Sequence, residues 1–294
     1  MLDIALRAGN RAKRELLERV GPLRDLSDRR HDARLQAHRP FVPALTAERS
    51  RMVAALAEDG VCVSSLAELA LPGTDELQAG LVSLTAALAA RPRSGDDTLR
   101  PPLPEILAES RVWQWGLGEE LLDMVEAYLG LPARYYGADL RVERATARAV
   151  GVRQWHRDVE DHRMFKILVW LNDVDLDGGP FEYVSRRHTP RLMSDLGYVT
   201  GFVSDADLER IVPREEWRQG TGPQWTAVLS DTRSVFHRAM PPVARDRYSV
   251  TFSFTSRTPI STLPAPRLPL EQRALARQGL NERQLACLPK AFDN

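Results

Sequence analysis

Phe165-Lys166-Ile167-Leu168-Val169-Trp170-Leu171 is the stretch of this chain that decides the fold. Its odd positions are all apolar, whereas its even positions carry Lys166, Leu168 and Trp170. This alternation predicts a β-strand, because successive side chains of a strand point to opposite faces of the sheet. We expect the fully apolar face to pack on a core and the other face to line a polar cavity.

A second strand with the same division lies far along the chain, at residues 247–254 (RYSVTFSF). One face carries Arg247, Ser249, a threonine and a serine, and the other carries only aromatic residues and a valine. Further short segments with turn residues between them also predict strands. The predicted strands are residues 136–143, 146–157, 163–172, 181–185, 225–230, 233–238 and 247–256. Many short strands around a polar cavity are typical of a double-sheet jelly roll.

The first 130 residues have mostly helical periodicity. We predict helices over residues 2–20, 46–59, 74–91 and 117–129, the second of them capped by Thr46 and stopped by Gly60. Because these helices can cover the apolar face of a mainly β core, we expect a single domain over residues 1–294. Its predicted parts are a helical region (1–130), a β core (131–258) with a lid insertion at 189–224, and a tail (259–294).

The charge and composition are those of an ordinary globular protein. The formal net charge is 0 at pH 7, which gives no indication of a nucleic-acid partner or an anionic membrane. No apolar run approaches the roughly 20 residues that span a bilayer, and the N-terminal segment lacks a signal-peptide core. The two cysteines, Cys62 and Cys287, make no disulfide framework, so we predict a cytoplasmic protein.

The segment 155–158 (WHRD) and the distant His237 form the candidate metal site. His156 and Asp158 share one face of an extended chain, because they are two residues apart. His237 can close a set of two imidazoles and one carboxylate, which is the ligand set of non-heme Fe(II) oxygenases. Each element taken alone is more typical of solvated side chains at a strand end or of a hydrogen-bonded histidine. We predict that the other histidines of these regions play no part, with His31 and His38 unrelated and His162 exposed in a charged turn.

Arg247 follows His237 and is the candidate anchor for a dicarboxylate cosubstrate. A guanidinium group is always charged and can bind a carboxylate through two parallel hydrogen bonds. Ser249 lies one pleat further on the same face and adds a hydroxyl group. The alternative for Arg247 is a surface ion pair with Asp246, and the alternation of the strand argues against it.

These elements together resemble the phytanoyl-CoA dioxygenase family. The resemblance covers residues 135–258 and rests on the segments 155–158, 166–180 (KILVWLNDVDLDGGP) and 247–249, with His188 and His237. It implies a double-stranded β-helix fold and an oxygenase that depends on Fe(II), 2-oxoglutarate and O2. It also implies three iron ligands, namely His156, Asp158 and His237. The distal carboxylate of 2-oxoglutarate would then contact Arg247 and Ser249, with Trp170 near the cosubstrate.

One assignment goes beyond what the resemblance implies, since Lys166 is our own addition as a second polar contact of the cosubstrate. The turn at residues 185–188 departs from the family pattern. The family often has Pro-Gly-Ser-His where this chain has Ser185-Arg186-Arg187-His188, so we expect His188 to be structural.

The predicted activity is the oxidation, by default the hydroxylation, of a C–H bond in a small-molecule substrate, with release of succinate and CO2. Asp158 favours hydroxylation, since a family member without this carboxylate would have a metal position open for a halide. Candidate substrate contacts in or beside segment 189–224 are Tyr198, Phe202, Trp217 and Trp225.

Two alternatives to the oxygenase stay open at the level of the sequence. The same three residues could bind zinc in a hydrolase, with Glu160 or Asp161 as the general base. They could also be vestigial in a non-catalytic jelly-roll binding protein.

Overall fold

A computed structural model of the chain describes residues 19–92, 95–261 and 268–293, together with Gly9, Lys13, Glu15 and Leu16. The described strands are β1 (Val61–Ser65), β2 (Thr98–Leu99), β3 (Ala133–Glu143), β4 (Phe165–Trp170), β5 (Phe181–Val184), β6 (Trp217–Gly220), β7 (Thr226–Ser230), β8 (His237–Ala239) and β9 (Arg247–Ser256). They form two antiparallel sheets, in the orders β1-β7-β4-β9-β3-β2 and β6-β5-β8. An apolar cluster joins Trp170 and Val228 of the larger sheet to Phe181 and Tyr183 of the smaller one. This arrangement is the double-stranded β-helix, or jelly roll, that the sequence predicts.

Helices surround this core and contain more of the described residues than the strands do. The α-helices are Gly21–His38, Ala47–Asp59, Leu66–Leu69, Thr74–Ala89, Leu103–Ala108, Ser110–Trp115, Glu119–Leu129, Thr189–Asp195, Asp205–Glu209, Leu270–Arg277 and Glu282–Cys287. Short 3-10 helices lie at Arg39–Phe41, Gly151–Arg153, Arg186–His188, Arg214–Glu216 and Lys290–Phe292. Within the described ranges, none of the helices has the length and apolar character needed to cross a membrane.

Strand β4 divides its side chains as its sequence predicts. Phe165, Ile167 and Val169 are completely buried in the large core that the helices share. Leu168 and Trp170 lie on the opposite face, in the cluster between the two sheets. Because β4 pairs with β7 on one side and β9 on the other, the environment of each face is fixed by the sheet.

The helix Ala47–Asp59 begins and ends where the sequence predicts. Thr46 caps it by accepting a hydrogen bond from the Arg49 N–H, and Gly60 ends it with φ = 87°. Glycine adopts this left-handed conformation without steric cost. A larger residue at position 60 would also collide with the core, since a Cβ there would lie 2.4 Å from Val235 Cγ1.

The predicted strand over residues 146–157 is wrong. Residues 146–150 have no regular structure, Gly151–Arg153 forms a 3-10 turn, and the chain becomes extended only at Trp155 and His156. The left-handed conformations of Ala147 (φ 54°) and Gly151 (φ 55°) interrupt the extended chain. Most of the predicted helix over residues 2–20 lies outside the described residues.

His162 is largely buried, which contradicts the prediction that it is exposed. Its side chain is 15% exposed, because its ring stacks on that of His31 at a centroid separation of 4.1 Å. His31 lies on the helix Gly21–His38 and is itself buried. Burial, with the positive charges of His162, Arg34 and Arg163, lowers the pKa of His31 to about 4, although Asp32 opposes the shift.

The low pKa of His31 makes the stability of the protein depend on pH. Between pH 6.5 and about 4, the unfolded chain binds a proton at this residue that the folded chain excludes. The free energy of unfolding therefore falls as the pH falls through this window. The slope of the unfolding free energy against pH gives the number of protons that the chain takes up on unfolding. We expect His31→Gln to lower this number by up to about one in this pH window, measured by urea unfolding at several pH values. The matched control is His38→Gln on the same helix, and an unchanged slope in His31→Gln would contradict the assignment.

Candidate metal centre and anion site

The two candidate histidine ligands are placed by one antiparallel backbone pair. His156 N donates to His237 O at 3.0 Å, and His237 N donates to His156 O at 2.9 Å. This pairing brings the two imidazole rings to a centroid separation of 4.3 Å. Side chains alternate along an extended chain, so the preceding residues, Trp155 and Phe236, belong to a separate buried cluster.

Both imidazole rings leave Nε2 free for a metal. His156 Nδ1 lies 2.8 Å from the carbonyl oxygen of Gln154, and His237 Nδ1 lies 3.3 Å from that of Val235. These contacts assign the proton to Nδ1 and the lone pair to Nε2. Burial lowers the pKa of His156, and burial together with His156 lowers the pKa of His237 to about 3. Both rings are therefore neutral at pH 7, as metal binding requires.

Asp158 completes the group. Its backbone N–H donates to Thr232 O at 3.0 Å, its Oδ1 lies 3.9 Å from His156 Nε2, and its Oδ2 lies 2.5 Å from Lys166 Nζ. Burial opposes ionisation, but Lys166 and the two imidazoles outweigh it and hold the pKa of Asp158 well below its usual range. One potential ligand atom from each of the three residues lies within 4.8 Å of the other two, close enough to share one metal ion.

This group stands alone in the part of the chain that the structure describes, where no other three His, Cys, Asp or Glu side chains come as close together. His188 lies apart from it, with its Nε2 2.9 Å from Glu216 Oε2. A cavity of about 560 Å³ is also elsewhere, since it lies between the helix Gly21–His38 and residues 258–260 and includes none of the three candidate ligands. A smaller cavity lies between the two sheets.

Arg247 enters that smaller cavity as a buried guanidinium group without a carboxylate partner among the described residues. It is 3% exposed, its Nη1 donates to Met240 O at 3.2 Å, and its Nε finds no hydrogen-bond partner in the described part of the chain. Asp246 is held instead by Arg144, at 2.7 Å, so the alternative surface pair of Arg247 with Asp246 is absent. Burial lowers the pKa of Arg247 to about 10, although the charge of Glu143, its pairing partner on β3, opposes the shift without an ion-pair contact. The guanidinium group therefore keeps its charge at pH 7.

The cavity brings together two of the three predicted cosubstrate contacts that accompany Arg247. The ring of Trp170 faces the guanidinium group, with Arg247 Cζ 5.5 Å from the ring centre. Ser249 of β9 pairs in register with Trp170 of β4. Lys166 contacts Asp158 and is not among the lining residues. The lining residues are Arg141, Leu168, Trp170, Phe181, Ala239, Arg247, Ser249 and Thr251.

Two residues of this region were missed by the sequence reasoning. Phe181 connects the cavity to the metal group, because its ring stacks on that of His237 at 5.3 Å. Arg141 adds a second guanidinium group and pairs in register with Ser249 across β3 and β9. The alternation of Asp139, Arg141 and Glu143 within β3 is the signal that could have identified Arg141, since all three share the face of Ser249 and Arg247.

Segment 189–224 packs on the residues next to both candidate histidine ligands. Trp155 and Phe236 precede His156 and His237, and both are completely buried against Leu192, Leu208 and other apolar residues of the segment. The cluster also contains Tyr198 and Trp217, which are 8% and 6% exposed, so these two aromatics serve packing. Trp225 packs against the helical core instead. Phe202 is different, since it is 53% exposed and its ring lies 5.7 Å from that of His156.

Arg238, which follows His237, holds this segment through a buried ion-pair network that the sequence reasoning also missed. Its Nε donates to Glu182 at 2.7 Å and its Nη1 to Asp205 at 2.5 Å. Asp205 also accepts a hydrogen bond from Trp155 Nε1 at 3.1 Å, and the guanidinium group lies 4.8 Å from the Trp155 ring centre. One arginine of β8 therefore ties segment 189–224 to the strand that carries His237 and to the residue that precedes His156.

The chain matches no family model, and no curated protein matches it in sequence. Among solved structures it is similar to HygX from Streptomyces hygroscopicus with nickel and 2-oxoglutarate bound, at 15% identity and a TM-score of 0.50, over 73% of this chain and 88% of that one. AviO1 from Streptomyces viridochromogenes Tue57 shares 18% identity with a TM-score of 0.49, over 76% of this chain and 100% of that one. EctD from S. alaskensis with 2-oxoglutarate and 5-hydroxyectoine shares 18% identity with a TM-score of 0.49, over 76% of this chain and 82% of that one. At this level of identity, the likeness to HygX establishes a shared fold.

The Arg238 network makes a prediction for stability. Removing one partner of a buried ion pair leaves the other charges uncompensated, so we expect Arg238→Met to lower the free energy of unfolding by about 3 kcal/mol. The matched control is Arg210→Met, whose side chain is 72% exposed and pairs with Asp207, and there we expect a change below about 0.5 kcal/mol. Urea unfolding measures the free energy of unfolding of both variants. Equal decreases in the two would show that the Arg238 ion pairs stabilise the fold no more than an exposed ion pair does.

Proposed function

We propose that the protein is an Fe(II)- and 2-oxoglutarate-dependent dioxygenase that hydroxylates a C–H bond of a small-molecule substrate and releases succinate and CO2. The observation that carries the proposal is a neutral-His, ionised-Asp, neutral-His group next to a cavity that holds a buried guanidinium group without a carboxylate partner among the described residues. A metal-binding group or a buried arginine by itself occurs in many kinds of protein. Together they match a metal that is bound on one side and a dicarboxylate that bridges the metal and a cation.

The three candidate ligands fit a divalent iron ion. Two neutral imidazoles and one carboxylate on one side of a metal leave the remaining positions open for other molecules. The Nδ1 contacts with Gln154 and Val235 hold each ring in the tautomer that ligates through Nε2. We assign His156, Asp158 and His237 as the iron ligands.

Arg247 fits the distal carboxylate of 2-oxoglutarate. A buried cation with an unsatisfied N–H costs free energy, and an incoming carboxylate relieves that cost through charge-assisted hydrogen bonds. Ser249 adds a hydroxyl group at the same end of the cavity, and Trp170 supports the guanidinium group from below. The free volume is about 40 Å³, little more than the share of one water molecule, so we expect side chains of the lining to shift when 2-oxoglutarate binds.

When bound, iron and 2-oxoglutarate supply the oxidising power, by coupling the decarboxylation of 2-oxoglutarate with O2 to the oxidation of a substrate C–H bond. The chain's own residues position the reactants and exclude water from between them. Phe181 and Leu168 line the cavity that contains Arg247, and Phe181 also contacts the ring of His237. Apolar walls would therefore separate the charged ends of the cosubstrate. Such walls strengthen electrostatic contacts by keeping the local dielectric constant low.

The shared fold with HygX, whose structure holds nickel and 2-oxoglutarate, supports the proposal. We place the chain nearest to the phytanoyl-CoA dioxygenase type, on the strength of the segments 155–158, 166–180 and 247–249. The carboxylate of Asp158 favours hydroxylation over halogenation. Cys62 and Cys287 are both free thiols, which suits the reducing cytoplasm.

We further propose that the chain acts as one oxygenase domain, in which segment 189–224 is the lid over the metal. Its packing on Trp155 and Phe236 supports this role. Phe202 is then the candidate apolar contact for the substrate, because it is exposed beside His156.

A zinc hydrolase built on the same three ligands has less support. Such an enzyme needs a general base next to the metal-bound water. Asp161 is occupied by the backbone N–H groups of His162 and Ser256, and Glu160 accepts from the Val159 N–H. A hydrolase also gives no role to a buried Arg247 that has no carboxylate partner among the described residues.

The role of Arg247 is tested by the absorption band that forms when Fe(II) and 2-oxoglutarate are added without O2. We expect Arg247→Met to weaken 2-oxoglutarate binding roughly 100-fold, since a buried charge contact worth several kcal/mol is lost, while Fe(II) still binds. Arg245→Met is the matched control, because Arg245 is 48% exposed and pairs with Asp175 on the surface. Equal 2-oxoglutarate affinities in the two variants would refute the anion site.

The metal assignment is tested by Asp158→Ala. We expect the variant to lose the absorption band and the uncoupled formation of succinate, because a ligand and its negative charge are removed. His188→Ala is the control outside the group and should retain both. A wild-type protein that forms no band and no succinate, or hydrolyses esters with zinc, would exclude the oxygenase.

A further inference from the structure

Lys166 contacts one oxygen of the Asp158 carboxylate and leaves the other oxygen to the metal position. Lys166 Nζ lies 2.5 Å from Oδ2, whereas Oδ1 faces His156 Nε2 at 3.9 Å. The Lys166 and Asp158 side chains are only 21% and 16% exposed, so water competes weakly for the contact. The two oxygens of this carboxylate are therefore held in different environments.

The sheet fixes the place of Lys166. In β4 it pairs with Ser230 of β7 and Ser253 of β9, two small residues that leave room for the lysine stem. Lys166 does not line the cavity that contains Arg247. Its ammonium group therefore serves Asp158 rather than the anion site.

The choice of lysine is informative in this chain, where all but three of the 40 basic residues are arginine. A guanidinium group offers parallel N–H donors and binds both oxygens of a carboxylate, whereas an ammonium group acts as a point charge. An arginine at position 166 would engage both oxygens of Asp158 and withdraw the ligand from a metal. A lysine holds one oxygen and leaves the other available.

We propose that Lys166 is a positioning residue that keeps Asp158 a one-oxygen ligand. A carboxylate without this contact can chelate a metal through both oxygens and then occupies two coordination positions instead of one. Of six positions, that leaves two beside the imidazoles, enough for the 2-oxo acid group of 2-oxoglutarate but not for O2 as well. The inference rests on the proposed function. In it, Lys166 keeps the third open coordination position of the metal available for O2.

Bound Mn(II) is a suitable probe, because it relaxes water protons according to the number of waters in its coordination shell. In the full-length protein without 2-oxoglutarate, we expect Lys166→Met to lower this relaxivity by about one third, as three waters become two, with little change in Mn(II) affinity. Succinate formation with Fe(II) should fall by roughly tenfold or more. Lys290→Met, at an exposed lysine, is the matched control and should change none of these values.

Lys166→Arg tests the same idea from the opposite side. We expect its Mn(II) dissociation constant to rise by roughly tenfold or more, because the guanidinium group binds both oxygens of Asp158. The proposal is overturned if Lys166→Met keeps the wild-type relaxivity or folds but loses Mn(II), or if Lys166→Arg binds Mn(II) as tightly as wild type. If Lys166→Met does not fold, Lys166→Leu, which also lacks a hydrogen-bond donor, takes its place with the same expectations.

These measurements separate the two proposals. A wild-type protein that binds Mn(II) but forms no absorption band with Fe(II) and 2-oxoglutarate overturns the proposed function, while the relaxivity still decides the role of Lys166. A protein that binds neither metal overturns both.

Discussion

The backbone pair between His156 and His237 is the contact on which the rest of the site depends. Its two hydrogen bonds join a segment that precedes β4 to the start of β8, and they set both imidazoles side by side. Alternation along the extended chain then separates each histidine from its predecessor. The histidines face the metal position, while Trp155 and Phe236 enter the apolar cluster of segment 189–224. One pairing therefore orients the two candidate ligands and sets the residues on which segment 189–224 packs.

Two buried arginines that follow His237 in the chain, Arg238 and Arg247, differ in their partners. Arg238 is neutralised by Glu182 and Asp205, and its network has the hallmarks of a structural contact, in which every charge has a partner. Arg247 is equally buried but has no carboxylate within ion-pair distance among the described residues. The same type of side chain thus stabilises the fold in one place and remains available for a ligand in the other. The presence or absence of a carboxylate in ion-pair contact distinguishes these two arginines, and burial alone does not.

Individual elements differ in how far the sequence predicted them. β4 and β9 were predicted accurately, because strict alternation of apolar and polar residues leaves one possible orientation for a strand with a buried face. The helix Ala47–Asp59 was also predicted accurately, because Thr46 and Gly60 are local signals. The strand predicted over residues 146–157 is wrong, because the β-type composition of this segment does not indicate the left-handed backbone conformations at Ala147 and Gly151. The buried His31–His162 stack was invisible, because it joins residues that are far apart in the chain.

The sequence by itself determined the jelly-roll class, the candidate ligands His156, Asp158 and His237, and the inward face that carries Arg247, Ser249 and Trp170. The class and the inward face follow from periodicity, which is a property of short segments, whereas the ligand set also rests on the resemblance to the phytanoyl-CoA dioxygenase family. Only the tertiary structure decided which partner each polar group has. In the fold, Lys166 contacts Asp158 and does not line the cavity with Arg247. Phe181 contacts both His237 and that cavity, and Arg238 pairs with Asp205. Such choices depend on which strands and loops become neighbours in the folded sheet, and no local pattern specifies them.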